Sequence, residues 1–456
     1  MTDSIDVQPP AEGLSPDNYN LLVDVLALDD AGLRHLAADI HPADFSDYFE
    51  QLSPEQRHEL IERAGDLITA DVLAEMEDEV VEETLPLLPC PQIVEAITAL
   101  DNNDATQIVE EMEANQREEV LEELRPEDRA TLEASFACDE ETIGRLMQRE
   151  FVAAPPFWTV GDTIDHMRNT GGDLPDLFYD IWIVDTAFHP VGYVPVSYLM
   201  RNPPDAKLET LAYEKLTVIT QDMDQEEAAY LFEKYNLISA PVVDAEGRLT
   251  GMMAVDDIIE IIQDENKEDI LALACVSEAG LTDTAVSTVK ARAPWLFINL
   301  LTAILASLVI AWFDYVISEF VQLAILMPIV ASMGGNAGTQ ALAVAVRGIA
   351  ERDLTGQNAR RAVVREGLAA LINGIIFAVV LALVTYVWFG RQDIAMVAFV
   401  AMIINHFFAG LAGILVPLAL KKSGADPAVS SAVFVTTVTD VVGFFAFLGF
   451  AAVMLL

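Results

Sequence analysis

The residues best suited to chemistry lie in two apolar stretches of the C-terminal part of the chain. The first is residues 334–340, which read Gly-Gly-Asn-Ala-Gly-Thr-Gln and are called the glycine motif below. It lies inside an uncharged run, residues 320–346, that is long enough to cross a bilayer as a helix. A conducting or binding site inside a membrane is therefore the first kind of chemistry to consider.

Pro328 and the glycines of this motif predict a break in the helix near the middle of the membrane. Such a break is tolerated only where the freed backbone faces protein or a watery cavity. Freed carbonyls, together with the side-chain amides of Asn336 and Gln340, could then hold a hydrated cation. The alternative is an unbroken helix whose glycines allow close packing against neighbouring helices.

The second stretch is residues 436–440, which read Thr-Thr-Val-Thr-Asp and are called the aspartate motif below. A carboxylate at the centre of a membrane helix costs about 2.5–3.5 kcal/mol, so Asp440 needs a function or a partner. The apolar runs contain no basic residue to pair with it. Hydroxyl and carboxylate oxygens suit hard cations such as Mg²⁺ or Ca²⁺, whereas a protonated Asp440 would be purely structural.

Together, the two motifs resemble those of the MgtE family of magnesium transporters. The resemblance implies an ion pathway lined by the second and fifth spans of both subunits of a homodimer, with Mg²⁺ as the ion. It assigns that pathway to Asp440, Asn336, Gly334, Gly335, Gln340, Thr436 and Thr437. Asp440 is the expected metal ligand among them.

Charge divides the chain into two halves. The 456 residues carry a net charge of −47 although 53% are hydrophobic. From residue 289 onward there are 8 acidic and 10 basic residues, against 64 acidic and 15 basic before it. Such acidity repels nucleic acid and favours cations as partners, although a surface adapted to a salty cytoplasm would look the same.

The soluble half divides into a tail and two domains. Residues 1–17 are expected to form a disordered tail. Residues 18–134 predict an all-α superhelical domain, because Ser-Pro-Glu at 53–55 and Arg-Pro-Glu at 125–127 are typical helix starts. This part resembles the MgtE N-terminal domain.

Residues 135–263 contain two related halves. Asp185 and Asp244 each end a predicted strand, and each is followed after seven residues by a glycine, Gly192 or Gly251. The repeat resembles a tandem pair of cystathionine-β-synthase (CBS) domains, an α/β fold. The nucleotide-binding version of the first half carries Arg-Asp where this chain has Ser-Tyr at 197–198. No nucleotide site is therefore expected, and ATP is a doubtful partner.

Residues 264–289 predict an acidic connecting helix that resembles the family's plug helix. The resemblance implies Mg²⁺ sensing by acidic residues of the soluble half, and a solvated surface is the alternative reading. Asn236 stands where the family can carry Asp. The candidate sensor residues are Asp104, Asp224, Glu226, Asp256, Asp257, Glu260, Glu265, Glu268 and Asp269.

Residues 290–456 predict five membrane helices. Five arginines lie between the second and third apolar runs, so the positive-inside rule places that loop and the soluble half in the cytoplasm and the C-terminus outside. The protein is then a multi-pass protein of the cell (inner) membrane. His406 is expected to form an interhelical hydrogen bond. The apolar runs are 294–313, 320–346, 367–390, 394–420 and 427–456.

These features predict a Mg²⁺-selective transporter or channel that imports Mg²⁺ and is closed by cytosolic Mg²⁺. A CBS-regulated transporter of another divalent cation, such as Co²⁺, is the alternative. An intramembrane enzyme is disfavoured, since it would need a second carboxylate at depth and the spans contain none. No enzymatic activity is expected.

Overall fold

The computed structural model describes residues 33–34, 40–170, 174–175, 177–274, 276, 285–350, 352, 354, 358–423 and 427–456. The predicted tail over residues 1–17 lies outside these ranges, as does part of the predicted connecting segment. The chain forms two compact units, Met1–Gln263 and Asp264–Leu456. The predicted domain boundaries themselves stay predictions.

The first part of unit 1 is a stack of short helices, as predicted. At the start of α2 the Ser53 hydroxyl accepts a hydrogen bond from Gln56 N, and Gln56 Oε1 accepts one from Ser53 N. This reciprocal cap explains why the Ser-Pro-Glu-Gln sequence starts a helix. The helices are α1 (Pro42–Gln51), α2 (Pro54–Ala64), α3 (Ala70–Ala74), α4 (Asp78–Thr84), α5 (Cys90–Ala99), α6 (Asn102–Glu110), α7 (Ala114–Glu123) and α8 (Pro126–Phe136).

Glutamine side chains join successive layers of this stack. Gln92 Nε2 donates to the carbonyls of Gly65 and Ile68 at 2.7 and 3.0 Å. One layer further on, Gln116 Nε2 donates to the Leu85 carbonyl at 2.7 Å. Each bond therefore ties the carbonyls at the end of one helical layer to a side chain of the next layer. The layers enclose one continuous apolar core.

The remainder of unit 1 contains two three-stranded sheets with the same strand order, β1-β2-β3 and β4-β5-β6. In each sheet the first pair is parallel and the second antiparallel. The predicted repeat is therefore confirmed. Its elements are α9 (Ile143–Leu146), β1 (Ala153–Ala154), α10 (Val160–Thr170), β2 (Asp180–Val184), β3 (Pro190–Pro195), α11 (Val196–Leu199), α12 (Leu208–Leu211), β4 (Ile219–Thr220), α13 (Gln225–Tyr235), β5 (Ser239–Val243), β6 (Leu249–Ala254) and α14 (Val255–Leu273).

The repeated Asp and Gly residues perform the same structural tasks in both halves. Asp185 Oδ1 accepts from the backbone N–H groups of Ala187 and His189, which closes the turn after β2. Asp244 closes the turn after β5 in the same way. Gly251 lies where a Cβ would come within 2.6 Å of the Gln148 carbonyl. The glycine therefore allows a neighbouring strand-like segment to approach.

Five helices of unit 2 are long and apolar enough to cross a membrane, among the described residues. Helix α19 is the most buried of them, and α15 packs against α20. The short helix α16 links the first two. The helices are α15 (Ala285–Trp312), α16 (Asp314–Glu319), α17 (Gln322–Ala350), α18 (Ala359–Phe389), α19 (Gln392–Ser423) and α20 (Pro427–Leu455).

The predicted break in the second span is wrong. Helix α17 runs from Gln322 to Ala350 without interruption and includes Pro328. The glycines serve packing instead: a Cβ at Gly334 would overlap the Asn405 side chain of α19. Close helix contact replaces the cavity that freed carbonyls would have required.

Candidate ion pathway and cation-sensing sites

The structure brings the two membrane motifs together. Gly338 of α17 faces α20, where a Cβ on the glycine would lie 2.7 Å from Val435 Cγ1 and 3.3 Å from Thr439 Cγ2. The glycine is needed there because any side chain would push the helices apart. Two stretches that are separated by about a hundred residues in the sequence thus form one contact.

The glycine motif has two chemically different faces. Gly334 and Gly338 are buried against neighbouring helices, whereas Asn336 and Gln340 are exposed. Gly335 has no other group within 4 Å of where its Cβ would be. The predicted amide ligands therefore lie on a face that this single chain leaves uncovered.

Asp440 is half-buried on α20. Within the described part of the chain its carboxylate forms no hydrogen bond and no ion pair. One turn earlier, the Thr436 and Thr437 hydroxyls donate to the carbonyls of Ala432 and Val433 at 2.9 and 2.6 Å. These hydrogen bonds use the hydroxyl protons and leave oxygen lone pairs to accept or coordinate.

Asn405 of α19 is a residue whose role the sequence analysis missed. It is fully buried, and its Nδ2 donates to the Val330 carbonyl of α17 at 2.8 Å. Its Oδ1 is buried without a hydrogen-bond partner among the described residues. A Cβ at Gly443 of α20 would lie 2.8 Å from Asn405 Nδ2, so the amide sits between both motif helices. The available signal was an amide in the middle of an apolar span.

His406 departs from its predicted interhelical hydrogen bond. Its Nδ1 lies 3.2 Å from the Met402 carbonyl, one turn earlier in the same helix. Its contact with α18 is a ring stack on Phe377, with the centroids 5.9 Å apart. The local carbonyl satisfies the imidazole because it is the nearest acceptor in an apolar bundle.

In unit 1 the structure joins two of the predicted sensor residues that lie far apart in sequence. Asn103 Nδ2 donates to Asp104 Oδ1 at 2.8 Å and to Asp257 Oδ1 at 3.1 Å. Gln148 Nε2 donates to both Asp257 oxygens at 3.2 and 3.0 Å. The Asn103 Oδ1 atom is buried without a partner among the described residues. We call these four residues the amide–carboxylate cluster.

Both carboxyl groups of this cluster have raised pKa values, so they ionise less readily than ordinary aspartates. Burial, followed by the charges of Glu260 and Asp257, raises the pKa of Asp104 to about 7. Burial also raises the pKa of Asp257 to about 7, against hydrogen bonds from Ala254 and Gln148 that lower it. Carboxylate and amide oxygens are the donor set that a hydrated Mg²⁺ prefers. The cluster therefore fits a hard divalent cation.

The other predicted sensor residues are more dispersed. Asp224 caps α13 by accepting from the N–H groups of Glu226 and Glu227 at 3.0 and 3.3 Å. Asn236 ends that helix in the left-handed conformation, with φ 51°, which short polar side chains tolerate. Asp256 and Glu260 are exposed on α14. Among the described residues, no three His, Cys, Asp or Glu side chains gather to hold a metal ion.

The acidic end of α14 contacts the membrane helices within unit 2. Ala272 is buried in a cluster with Leu342, Val346, Ala412 and Val435. The predicted connecting residues Asp269 and Glu265 lie one and two turns before this contact and are partly buried, whereas Glu268 is exposed. The acidic segment thus ends against α17, α19 and α20.

The first CBS half presents aromatic rings where a nucleotide-binding Arg-Asp pair would stand. Tyr198 packs against Tyr213 with ring centroids 5.8 Å apart, and Tyr213 stacks on Tyr193 at 5.4 Å. Ser197 is exposed. No cation is supplied for a phosphate at this position.

This fold defines a multi-pass membrane protein with a helical domain, a CBS pair and an acidic residue in its last span. Family models agree: "divalent cation transporter" matches residues 327–450, "MgtE intracellular N domain" residues 40–141, and "CBS domain" residues 209–264.

The magnesium transporter MgtE of Thermus thermophilus is 30% identical, with 94% of this chain and 96% of that protein covered. The Bacillus subtilis MgtE is 25% identical, with 92% and 93% covered. A crystal structure of the cytosolic domain of the Mg²⁺ channel MgtE in complex with ATP is 28% identical, with 53% of this chain and 98% of that chain covered and a TM-score of 0.48. The chain belongs to the MgtE family of magnesium transporters, and its relatives are transporters rather than enzymes.

Proposed function

We propose that this protein imports Mg²⁺ through a pathway formed by two copies of the chain, and that cytosolic Mg²⁺ closes the pathway. The observation that carries the proposal is the amide–carboxylate cluster. Asp104 and Asp257 lie in one cluster, and burial raises the pKa of each to about 7. A bound cation or proton would offset the free-energy cost of burying their charges. Mg²⁺ is the cargo and also the ligand of this cluster.

Both motifs expose polar side chains on membrane-crossing helices, which supports a pathway between two chains. Asn336 and Gln340 of α17 and Thr436 of α20 are exposed in one chain, although they lie in membrane-crossing helices. Amides and hydroxyls facing lipid would be costly, whereas a second chain or water would satisfy them. A two-fold homodimer would also supply two copies of Asp440 to one axis, which suits a hydrated divalent ion better than one.

Closure follows from charge. Two carboxylates about 4 Å apart repel each other by roughly 4 kcal/mol at an effective dielectric of 20, and a bridging divalent ion reverses the sign. In the cluster, Asp104 comes from α6 of the helical domain and Asp257 from α14 after the CBS pair. An ion bound between them would therefore draw those two parts of the chain together. High cytosolic Mg²⁺ thus favours the joined state.

The acidic end of α14 would transmit this change. Its Ala272 packs against Leu342 of α17, which lies five residues before Arg347, and against Val435 of α20. Ligands at Glu265, Glu268 and Asp269 would hold it there when Mg²⁺ is bound. Changing these three residues to their amides should weaken inhibition by internal Mg²⁺, measured by patch-clamp titration. If these residues acted only by repelling each other, the same change would close the pathway at low Mg²⁺. If the sensitivity to internal Mg²⁺ stayed unchanged, the three residues would be a solvated surface with no role in sensing.

The orientation follows from charge distribution. The loop between α17 and α18 carries the arginines and would face the cytoplasm together with the soluble half, which leaves the C-terminus outside. A cysteine placed after Leu456 tests this orientation. A membrane-impermeant thiol reagent should label it in intact cells. Labelling of the same cysteine only after the cells are opened would reverse the assignment.

Growth of a Mg²⁺-uptake-deficient cell on low Mg²⁺ tests the function as a whole. Expression of the full chain should restore growth, and the Asp440→Ala variant should not. The alternative cargo is Co²⁺, because the oxygen donors of the pathway do not distinguish divalent ions by affinity alone. Uptake of Co²⁺ that excess Mg²⁺ fails to inhibit would favour that alternative.

A further inference from the structure

A cavity of about 440 Å³ opens at the end of the bundle where α17 ends and α18 begins. Three arginines line it, Arg347 from the last turn of α17 and Arg361 and Arg365 from the first two turns of α18. Glu366 contributes one opposing carboxylate. We call this cavity the arginine pocket. It belongs to none of the pathway or sensor sites described above.

The pocket favours an anion. Arg361 and Arg365 are exposed, and neither forms an ion pair or hydrogen bond with the residues that the structure describes. They stand at the N-terminus of a 31-residue helix, whose first N–H groups carry partial positive charge. Asn358, at the N-cap, also lines the pocket. Charge-assisted bonds from arginine to phosphate are among the strongest polar contacts available here.

The outer side of the pocket is apolar. Val344 lines it and is 56% exposed. Val364 and Leu368, three residues after Arg361 and Arg365 on the same helix, are 64% and 57% exposed. Because residues three apart share a helix face, these side chains continue the pocket along the lipid-facing surface of α18. A ligand here meets positive charge at one end and hydrocarbon beside it.

We propose that the arginine pocket binds the phosphate of an anionic phospholipid, with Arg361 and Arg365 holding the head group and Val344 contacting an acyl chain. Basic pockets between membrane helices are suited to such head groups. The apolar flank favours a lipid over free inorganic phosphate, which would gain nothing from it. Ala341, which follows Gln340 of the glycine motif, also lines the pocket, so a bound lipid contacts the helix that carries the pathway residues.

Native mass spectrometry of the full-length protein in neutral detergent tests this proposal during titration with phosphatidylglycerol. Detergent removes the charge of a lipid leaflet and so isolates the pocket. We expect a saturable adduct that the double variant Arg361→Gln, Arg365→Gln weakens roughly 25-fold, about fivefold for each arginine. The matched control is Arg360→Gln, an exposed neighbour that does not line the pocket, and it should stay within twofold of the wild type. An equal loss of affinity in the control would overturn the proposal, because it would show that the lipid is attracted by the general positive charge of this surface and not by the pocket.

Three further arms sharpen the result. Replacing Arg361 and Arg365 with lysine keeps the charge but removes the bidentate fork, so affinity should fall between the wild type and the glutamine pair. Phosphatidylcholine, which is neutral overall, should bind at least tenfold more weakly than phosphatidylglycerol, and equal binding would refute an anionic site. Displacement of the lipid by millimolar inorganic phosphate would assign the pocket to a free anion instead. Unchanged thermal unfolding in lipid-free detergent verifies that each variant is folded.

Discussion

Acidic residues are arranged differently in the two units. In unit 1, Asp104 and Asp257 converge on one amide, Asn103 Nδ2, and burial raises the pKa of both carboxyl groups. In unit 2, Asp440 stands alone on α20, with hydroxyls one turn away and no ion pair among the described residues. In the proposed function, the first arrangement would gain most from a cation that binds and stays. The second would bind an ion weakly enough for it to leave, which conduction requires.

The largest effect should come from Asp440. Replacing it with alanine removes the charge that would attract a cation into the apolar spans, and we expect Mg²⁺ uptake to fall about 100-fold, equivalent to about 2.7 kcal/mol. Uptake into proteoliposomes, at matched protein content, measures this. Asp314→Ala, in the exposed start of α16, serves as the control and should retain uptake. Wild-type uptake by the Asp440 variant would contradict a role for Asp440 in the pathway, and with it the functional difference between the two units.

Asn405 tests whether the pathway helices need their shared amide. Leucine at this position leaves the Val330 carbonyl without its donor and crowds Gly334 and Gly443, so we expect about 1–3 kcal/mol of destabilisation and a clear loss of uptake. Thermal unfolding in detergent and uptake assays measure the two effects. Asn299→Leu, on an exposed face of α15, should change neither. Normal uptake by the Asn405 variant would show that transport does not need this amide.

Asp257 tests the sensor side of the comparison. Asp257→Asn removes one of the two carboxylates of the amide–carboxylate cluster, and we expect closure to need about tenfold more internal Mg²⁺, a loss of about 1.4 kcal/mol. Patch-clamp titration of internal Mg²⁺ measures the shift. Asp205→Asn, at an exposed aspartate outside the candidate sensor set, is the matched control. Asp104→Asn should not add fully to Asp257→Asn, because the two residues share a ligand.

Proton competition should give a smaller, graded effect. The folded pKa values of Asp104 and Asp257, about 7, lie above the ordinary value, so the folded state holds more protons than the unfolded state between about pH 4 and 7. The stability of metal-free unit 1 therefore falls as pH rises through that range, and Mg²⁺ binds better towards its upper end. Inhibition by internal Mg²⁺ should weaken as pH falls below 7, by up to tenfold per pH unit per carboxylate. A response independent of pH, or one that Asp257→Asn leaves intact, would contradict this.

The smallest effect is expected from adenine nucleotides. Ser197 and Tyr198 stand where a nucleotide-binding CBS half carries Arg and Asp, so a phosphate cation is missing. Calorimetry with the full-length protein in detergent should detect no ATP binding in the micromolar range. Micromolar affinity would show that the aromatic group of Tyr193, Tyr198 and Tyr213 binds adenine without that cation.

Much of the architecture was predictable because the relevant signals are local. Apolar runs of about 20 residues require helices that cross a bilayer, and Ser53 with Gln56 caps a helix wherever that sequence occurs. The repeated Asp and Gly spacing predicted two like halves, because each Asp closes its own turn and each Gly lies in the next strand. The candidate pathway residues were predicted by residue type, since a carboxylate in an apolar span requires an explanation, and their role stays a prediction.

Tertiary structure alone decided what depends on packing between distant segments. Pro328 and the glycines predicted a broken helix, but α17 is continuous, and Gly334 and Gly338 pack closely against Asn405 and Val435. The hydrogen-bond partner of His406 is local, and the pairing of Asp104 with Asp257 spans more than 150 residues. No periodicity encodes these outcomes, because each is set by which side chain fills the space beside a helix after folding.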